Sequence, residues 1–307
     1  MVHVYDMVII GGGPGGYSAA LYAARAGLDV VVLEKLSAGG QMALTHQVDN
    51  YPGFSEGIDG FTLGLQMQEG AERFGAKTEY AEVESLDLLA QPKRIHTSEG
   101  VFYGRTVVYA AGAGPRELGL PEEKELIGRG VNYCAACDGM FYKGKTVVVV
   151  GGGNSAVADA LILARVAEKV ILVHRRDSLR AEKVYDKALR EAENLEFRWN
   201  SAVSQLLYDQ KLNGIKLRDA YSGEESVLAC DGVFVSIGRN PNSALLKGQV
   251  NLDAQGYVEA GESCRTNIPG VFAVGDVRTK ALRQIVTAAA DGAVAVHYAV
   301  EYLAEVQ

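Results

Sequence analysis

The sequence predicts an α/β fold built from two Rossmann-like dinucleotide-binding domains, the second inserted into the first. Three observations carry this reading. One strand–glycine turn–helix–strand pattern occurs twice, in residues 6–35 and 145–176. Apolar strands remote from the first copy, within 106–121 and 266–277, end in small or acidic residues suited to the same crevice. Two turn-prone stretches rich in Gly, Pro and polar residues, 112–130 and 237–248, bracket the second copy. At 307 residues the chain is long for one core and natural for two.

The first copy, "DMVIIGGGPGGYSAALYAARAGLDVVVLEK", opens with an apolar run that reads as a buried parallel strand. Gly11, Gly13 and Gly16 then form the dinucleotide fingerprint. The first glycine permits the turn, the second lets backbone approach a pyrophosphate, and the third lets helix pack on strand. An alanine-rich helix offers its N-terminal N–H groups to the phosphates. The next strand ends at Glu34, an acid placed to accept hydrogen bonds from a ribose diol. This copy suits a ligand with a free ribose, FAD or NAD.

The second copy, "KTVVVVGGGNSAVADALILARVAEKVILVHRR", places Gly151, Gly153 and Ala156 in the same frame, with Asn154 and Ser155 opening its helix. The position equivalent to Glu34 is His174, followed by Arg175, Arg176 and Arg180. A carboxylate there would repel a 2′-phosphate, whereas guanidinium groups bind one bidentately. This copy suits NADPH; the competing reading of "HRRDSLR" is a solvated basic helix start. Further on, "VFAV" leads into Gly275–Asp276, an acid at a strand tip that could receive the ribityl hydroxyls of FAD. The expected division is therefore FAD domain 1–116, NADPH domain 117–245 and FAD domain again 246–307.

Composition narrows the function. The net charge is −8 and the pI about 5.3, so no basic surface tracks a nucleic-acid backbone. Glycine at 36 residues against 7 prolines points to tight turns more than disorder. The N-terminal stretch lacks a signal-peptide pattern, and no run reaches the roughly 20 apolar residues of a membrane span. The expected location is cytoplasmic, a reducing compartment where a disulfide is more often catalytic than structural.

That matters for "YCAACDGMFY", residues 133–142, which holds Cys134 and Cys137 with Asp138 behind them. Three readings are open: a metal clip, a static structural pair, or a working disulfide. Zinc needs four ligands, and the remaining cysteines, Cys230 and Cys264, are single and far apart. The Cys-x-x-Cys spacing in a reducing compartment favours the redox disulfide. Cys230 and Cys264 read as bystanders.

With these motifs in view, the chain resembles the low-molecular-weight, bacterial-type thioredoxin reductases from residue 6 to about 300. The resemblance rests on "GGGPGGYSAALYAARAG", "GGQMALTHQVDNYPGF", "GRGVNYCAACDGMFYKGK", "GGGNSAVADALILARVA", "VHRRDSLRAEK", "SIGRNPNS", "GVFAVGDV" and "RQIVTAAADGAVAV". It departs from the family at Ala135–Ala136, where Ala-Thr is common, and at "AAG" (110–112), where "ATG" is frequent. The resemblance implies a flow of electrons from NADPH to FAD, to Cys134–Cys137, and on to thioredoxin or a thioredoxin-like disulfide protein. It implies that Cys137 faces the flavin, that Cys134 attacks the substrate disulfide, and that Asp138 protonates the departing thiolate. Gln41, Asn50, Arg283 and Gln284 are carried over as flavin-pocket residues, with the last helix pointing at the flavin pyrimidine. A homodimer is implied too, as is rotation of the inserted domain about the crossings near 112–118 and 239–246. Two rivals share the fold. A flavin-dependent dithiol oxidase would not need "HRRDSLR", and a flavin-binding redox sensor would not need an intact Cys-x-x-Cys-Asp.

Overall fold

The structure is a computed structural model describing residues 2–45 and 47–306. It comprises two compact units, Met1–Gly114 with Asn240–Gln307, and Pro115–Arg239. In chain order the first unit opens with β1 (Val4–Ile10), α1 (Pro14–Arg25), β2 (Val30–Glu34), α2 (Gly60–Glu72), β3 (Lys77–Tyr80), β4 (Val83–Asp87), β5 (Lys93–Thr97) and β6 (Gly100–Tyr109). The chain leaves through β7 (Ala113–Pro115). The second unit holds β8 (Val131–Asn132), α3 (Ala135–Asp138), β9 (Thr146–Val150), α4 (Asn154–Ala164), β10 (Lys169–Val173) and α5 (Asp186–Glu191). It continues with β11 (Leu195–Arg198), β12 (Ser201–Tyr208), β13 (Leu212–Asp219), β14 (Glu225–Ala229) and β15 (Gly232–Val235). The return runs through β16 (Arg239–Pro241), which pairs with β7, and the chain closes with β17 (Val271–Ala273) and α6 (Ile285–Glu305).

The sheet of the first unit runs β3-β2-β1-β6-β5-β4, with β17 also paired to β6. The strands β3, β2, β1, β6 and β17 are parallel. Side chains alternate across a strand, so an all-apolar strand feeds two cores at once. In β1, Met7 and Ile9 join the core beneath α1 and α6, while Val8 and Ile10 join the core with Val107, Val258 and Val271. That is why "MVII" reads as continuous apolar sequence. Helices α1 and α6 approach closely at small residues: a side chain at Gly292 would overlap the Gly15 carbonyl. Ser18 Oγ donates to the Ala289 carbonyl at 2.6 Å across the same contact.

Residues 240–250 lie with the first unit. Leu246 and Val250 are buried in its core, and Tyr109 Oη donates to the Asn242 carbonyl at 2.7 Å. The turn-prone composition of 237–248 marks a crossing without saying on which side each residue packs, and the structure draws the return at 239/240.

The second unit has a parallel sheet in the order β11-β10-β9-β15-β8. One face is covered by α4, with Val147, Val149, Ala156, Ala160 and Leu163 in the core. The other face is covered by the antiparallel sheet β12-β13-β14, which supplies Leu206, Ile215 and Leu217. This second sheet has no counterpart in the sequence reading. In both units the strand order reverses beside the first strand, at β1/β6 and β9/β15, which opens a crevice at the carboxyl ends of the strands. Among the described residues no helix is long and apolar enough to cross a membrane.

Candidate active site and dinucleotide cradles

In the first unit the turn after β1 passes through Gly11 at φ +103°, where an added Cβ would lie 2.6 Å from the Ala110 carbonyl oxygen. Only glycine satisfies both the left-handed backbone and the close pass to the end of β6. A Cβ at Gly16 would overlap the Gly11 carbonyl, so the third fingerprint position is small because helix and turn touch there. Gly13 is the N-cap of α1 and offers no side-chain cap, and a Cβ there would meet nothing within 4 Å. The helix start is thus uncapped and opens on free space, which fits a pyrophosphate.

Glu34 closes β2 with one carboxylate oxygen on this turn, Oε2 accepting from Gly12 N at 2.6 Å, while Oε1 accepts from Leu36 N at 3.0 Å. An acid fixed at that strand end can face a ribose. Gln41 is exposed on a short 3-10 turn, Gly40–Leu44, which is held to the glycine turn by the Gly39 N–Gly12 O bond of 2.8 Å.

The remaining expected flavin-pocket residues come from both ends of the chain. Asn50 Nδ2 donates to Gln284 Oε1 at 3.1 Å across 234 residues of sequence. Gln284 is the N-cap of α6 in a reciprocal capping box with Thr287. Arg283 Nε donates to the Asp276 carbonyl at 3.3 Å, and its guanidinium stacks 4.0 Å over the Tyr257 ring. Gly275 and Asp276 form the turn directly after β17. Every expected FAD residue therefore lies in the first unit, which has an uncapped helix start and an acid at or just beyond each of two strand ends. This donor set fits a flavin dinucleotide.

In the second unit Gly151 has φ +155°, and a Cβ there would overlap the Ser236 carbonyl. Gly153 repeats the open, uncapped N-cap position of Gly13. Arg175, Arg176 and Arg180 follow β10 and are exposed. Arg180 N donates to the Gly152 carbonyl at 2.7 Å, which folds the arginine loop back onto the glycine turn. Ser155 is exposed at the start of α4. Three exposed arginines on a loop bonded back to the glycine turn fit a phosphorylated ribose.

Two other expected residues stand differently. His174 is 5% exposed, and its ring fills the floor under Gly152, with Trp199 at its edge. Burial, then the charges of Arg180, Arg176 and Arg175, hold its pKa below the usual histidine value. Its buried Nε2 has no protein partner, while the three arginines are exposed. Asn154 spends its amide on Glu182, accepting from Glu182 N at 2.8 Å and donating to Glu182 Oε1 at 2.9 Å. Its side chain props the loop beyond the arginines.

Cys134 and Cys137 form a disulfide. Cys134 caps α3, its sulfur accepting from Cys137 N at 3.2 Å, and Asp138 ends that helix. An amide aimed at a sulfur favours its thiolate. Tyr133, just before Cys134, donates from Oη to Glu123 Oε1 at 2.8 Å. Glu123 is 1% exposed and also accepts from Leu118 N and Gly119 N, each at 2.8 Å. Asn132 Nδ2 donates to Tyr142 Oη at 2.8 Å on the other side. The cysteine loop is thus pinned at both flanks. Two sulfurs bonded to one another are not free as metal ligands, and among the described residues no group of three or more His, Cys, Asp or Glu converges. Cys230 and Cys264 are buried, and burial first of all pushes both thiols up to about 12.

Sequence reasoning missed Asp159, which accepts from Ser236 Oγ at 2.5 Å between α4 and the end of β15. Burial raises its pKa. It missed Asp291, Arg278 and Lys280 as well. In both cases a signal existed: a lone acid inside an apolar helix, in "AVADALILA" and "TAAADGAVAV".

The chain belongs to the pyridine nucleotide-disulphide oxidoreductase family, whose model matches residues 5–292. It is 46% identical over 308 aligned residues to a thioredoxin reductase of Streptomyces clavuligerus, covering 99% of this chain and 95% of the relative. With a thioredoxin reductase of Listeria monocytogenes serovar 1/2a the figures are 44% identity, 99% and 95%. The crystal structure of thioredoxin reductase from Streptococcus pyogenes MGAS5005 superposes with a TM-score of 0.89 at 39% identity, covering 98% of this chain and 99% of that one.

Proposed function

We propose that the protein is an NADPH-dependent thioredoxin-disulfide reductase. The observation that carries the reading is the Cys134–Cys137 disulfide, set in the unit whose glycine turn is followed by three exposed arginines. Gly11, Gly13, Gly16, Glu34 and the Gly275–Asp276 turn would hold FAD, which when bound would supply two-electron transfer between NADPH and a disulfide. Arg175, Arg176 and Arg180 bind the 2′-phosphate, and Gly151 and Gly153 admit the pyrophosphate. Reduction turns Cys134–Cys137 into a dithiol. The Cys134 thiolate attacks the substrate disulfide, forming a mixed disulfide and releasing one substrate thiolate, which Asp138 protonates. Cys137 then attacks Cys134, which frees the second substrate thiol and restores the original pair. The substrate is thioredoxin or a similar small disulfide protein, the assembly a homodimer and the compartment the cytoplasm.

Anaerobic stopped-flow mixing with NADPH or NADH, followed by addition of oxidised thioredoxin, tests the reading. The flavin absorbance should bleach rapidly with NADPH, more slowly with NADH, and return with thioredoxin. A flavin that neither nucleotide reduces, but that a dithiol reduces and oxygen reoxidises, would establish the dithiol oxidase instead.

A further inference from the structure

An aspartate is out of place in the apolar stripe of α6. The buried face of this helix runs through Ala288, Ala295 and Ala299, yet Asp291 shares it at 6% exposure. Its carboxylate is fully subscribed. Oδ1 accepts from Arg278 Nη2 at 2.7 Å, while Oδ2 accepts from Arg278 Nε at 2.9 Å, Lys280 Nζ at 2.7 Å and Gly275 N at 2.9 Å. Burial pushes the carboxyl up in pKa, but the bonds from Arg278 and Lys280 outweigh it and hold the group below its usual range.

The side chains of Asp291, Arg278 and Lys280 are only 7–8% exposed, and Glu262 adds a second carboxylate acting on Arg278. For stability alone, apolar residues would serve such a site as well or better. What the cluster does is hold a loop. The Gly275 amide bonds directly to Asp291, Lys280 also reaches the Thr287 carbonyl at 3.2 Å, and Arg278 Nη1 donates to the Thr279 carbonyl at 3.0 Å. The segment from Gly275 to the start of α6 is thereby tied to the helix before any ligand arrives. Gly275 and Asp276 are the turn offered to the flavin.

We propose that Asp291 is a positioning residue for the flavin dinucleotide. Together with Arg278 and Lys280 it presets the Gly275–Asp276 turn. The proposal rests on the reading of the first unit as the FAD cradle.

The test measures FAD affinity by flavin fluorescence on flavin-stripped protein, alongside the melting temperature of the stripped protein. Asp291→Asn breaks the cluster, and the combined Asp291→Leu, Arg278→Met and Lys280→Met protein replaces it with apolar packing. Both should bind FAD about tenfold more weakly or worse, the cost of the ligand having to order a turn residue that is no longer held, roughly 1.4 kcal/mol. The combined variant should melt close to the parent when flavin-free, which separates positioning from simple destabilisation. Unchanged FAD affinity in either folded variant, or a loss of folding that saturating FAD does not reverse, overturns the proposal. A parent protein that binds no FAD overturns the functional reading and this assignment with it. A flavin-loaded parent beside unaffected variants overturns this assignment alone.

Discussion

Replacing Arg175 and Arg176 together with alanine isolates the choice of nucleotide. Strand β10 ends at Val173, His174 is buried against Gly152, and the next two side chains are exposed. Charge-assisted hydrogen bonds contribute roughly 1.5–3 kcal/mol each, so two of them amount to roughly 3–6 kcal/mol. At about 1.4 kcal/mol per decade this is a loss of roughly 10²- to 10⁴-fold in NADPH affinity. Because both guanidiniums are exposed, solvent and salt screening place the expectation at the lower end, about a hundredfold. NADH lacks the 2′-phosphate and should bind as before. The assay is the rate of flavin bleaching in anaerobic stopped flow as a function of nucleotide concentration, with apparent Kd read from saturation. Raising ionic strength should weaken NADPH binding in the parent and leave the double variant nearly unaffected. Equal losses for NADPH and NADH, or no loss for NADPH, would refute the assignment of this loop.

The cysteines and the buried histidine give two further tests. Cys134→Ser and Cys137→Ser should each abolish thioredoxin reduction while flavin bleaching by NADPH persists. Only Cys134→Ser should show long-wavelength absorbance from a thiolate beside the flavin, and the band in Cys137→Ser instead would reverse the two roles. For His174 the folded-state pKa lies below the ordinary value of 6.5, since burial and three arginines oppose the imidazolium. As pH falls below that value the unfolded chain takes up the proton first. Stability contributed by neutral His174 is therefore complete above about 6.5 and is lost as pH drops toward the folded pKa. Urea midpoints at neutral and mildly acidic pH should show a smaller acid loss in His174→Phe than in the parent, and identical losses would contradict a buried neutral ring.

Much of the fold and of the cradles was legible in the sequence because their parts are consecutive residues. A left-handed Gly11, a crowded Gly16, an acid closing β2 and arginines trailing β10 are each set by backbone geometry within one βαβ unit. The same holds for Cys134 and Cys137, three residues apart at the cap and within the first turn of one short helix. That two such units occur, one inside the other, follows from the repeat and from the split apolar strands. Packing between remote segments decided the rest. Only the folded chain brings Asn50 to Gln284, rests Arg283 on the Asp276 carbonyl, and fills the face of the second sheet with β12 and β13. His174 and Arg175 are neighbours in one basic stretch, and only the position of Trp199 and Gly152 makes one a floor and leaves the other exposed. Asp291 looks like a flaw in an apolar helix until Arg278, Lys280 and the Gly275 amide arrive from the turn after β17. Local backbone chemistry is written in adjacent residues, whereas the partner of a buried charge is chosen by which distant segment the core brings against it.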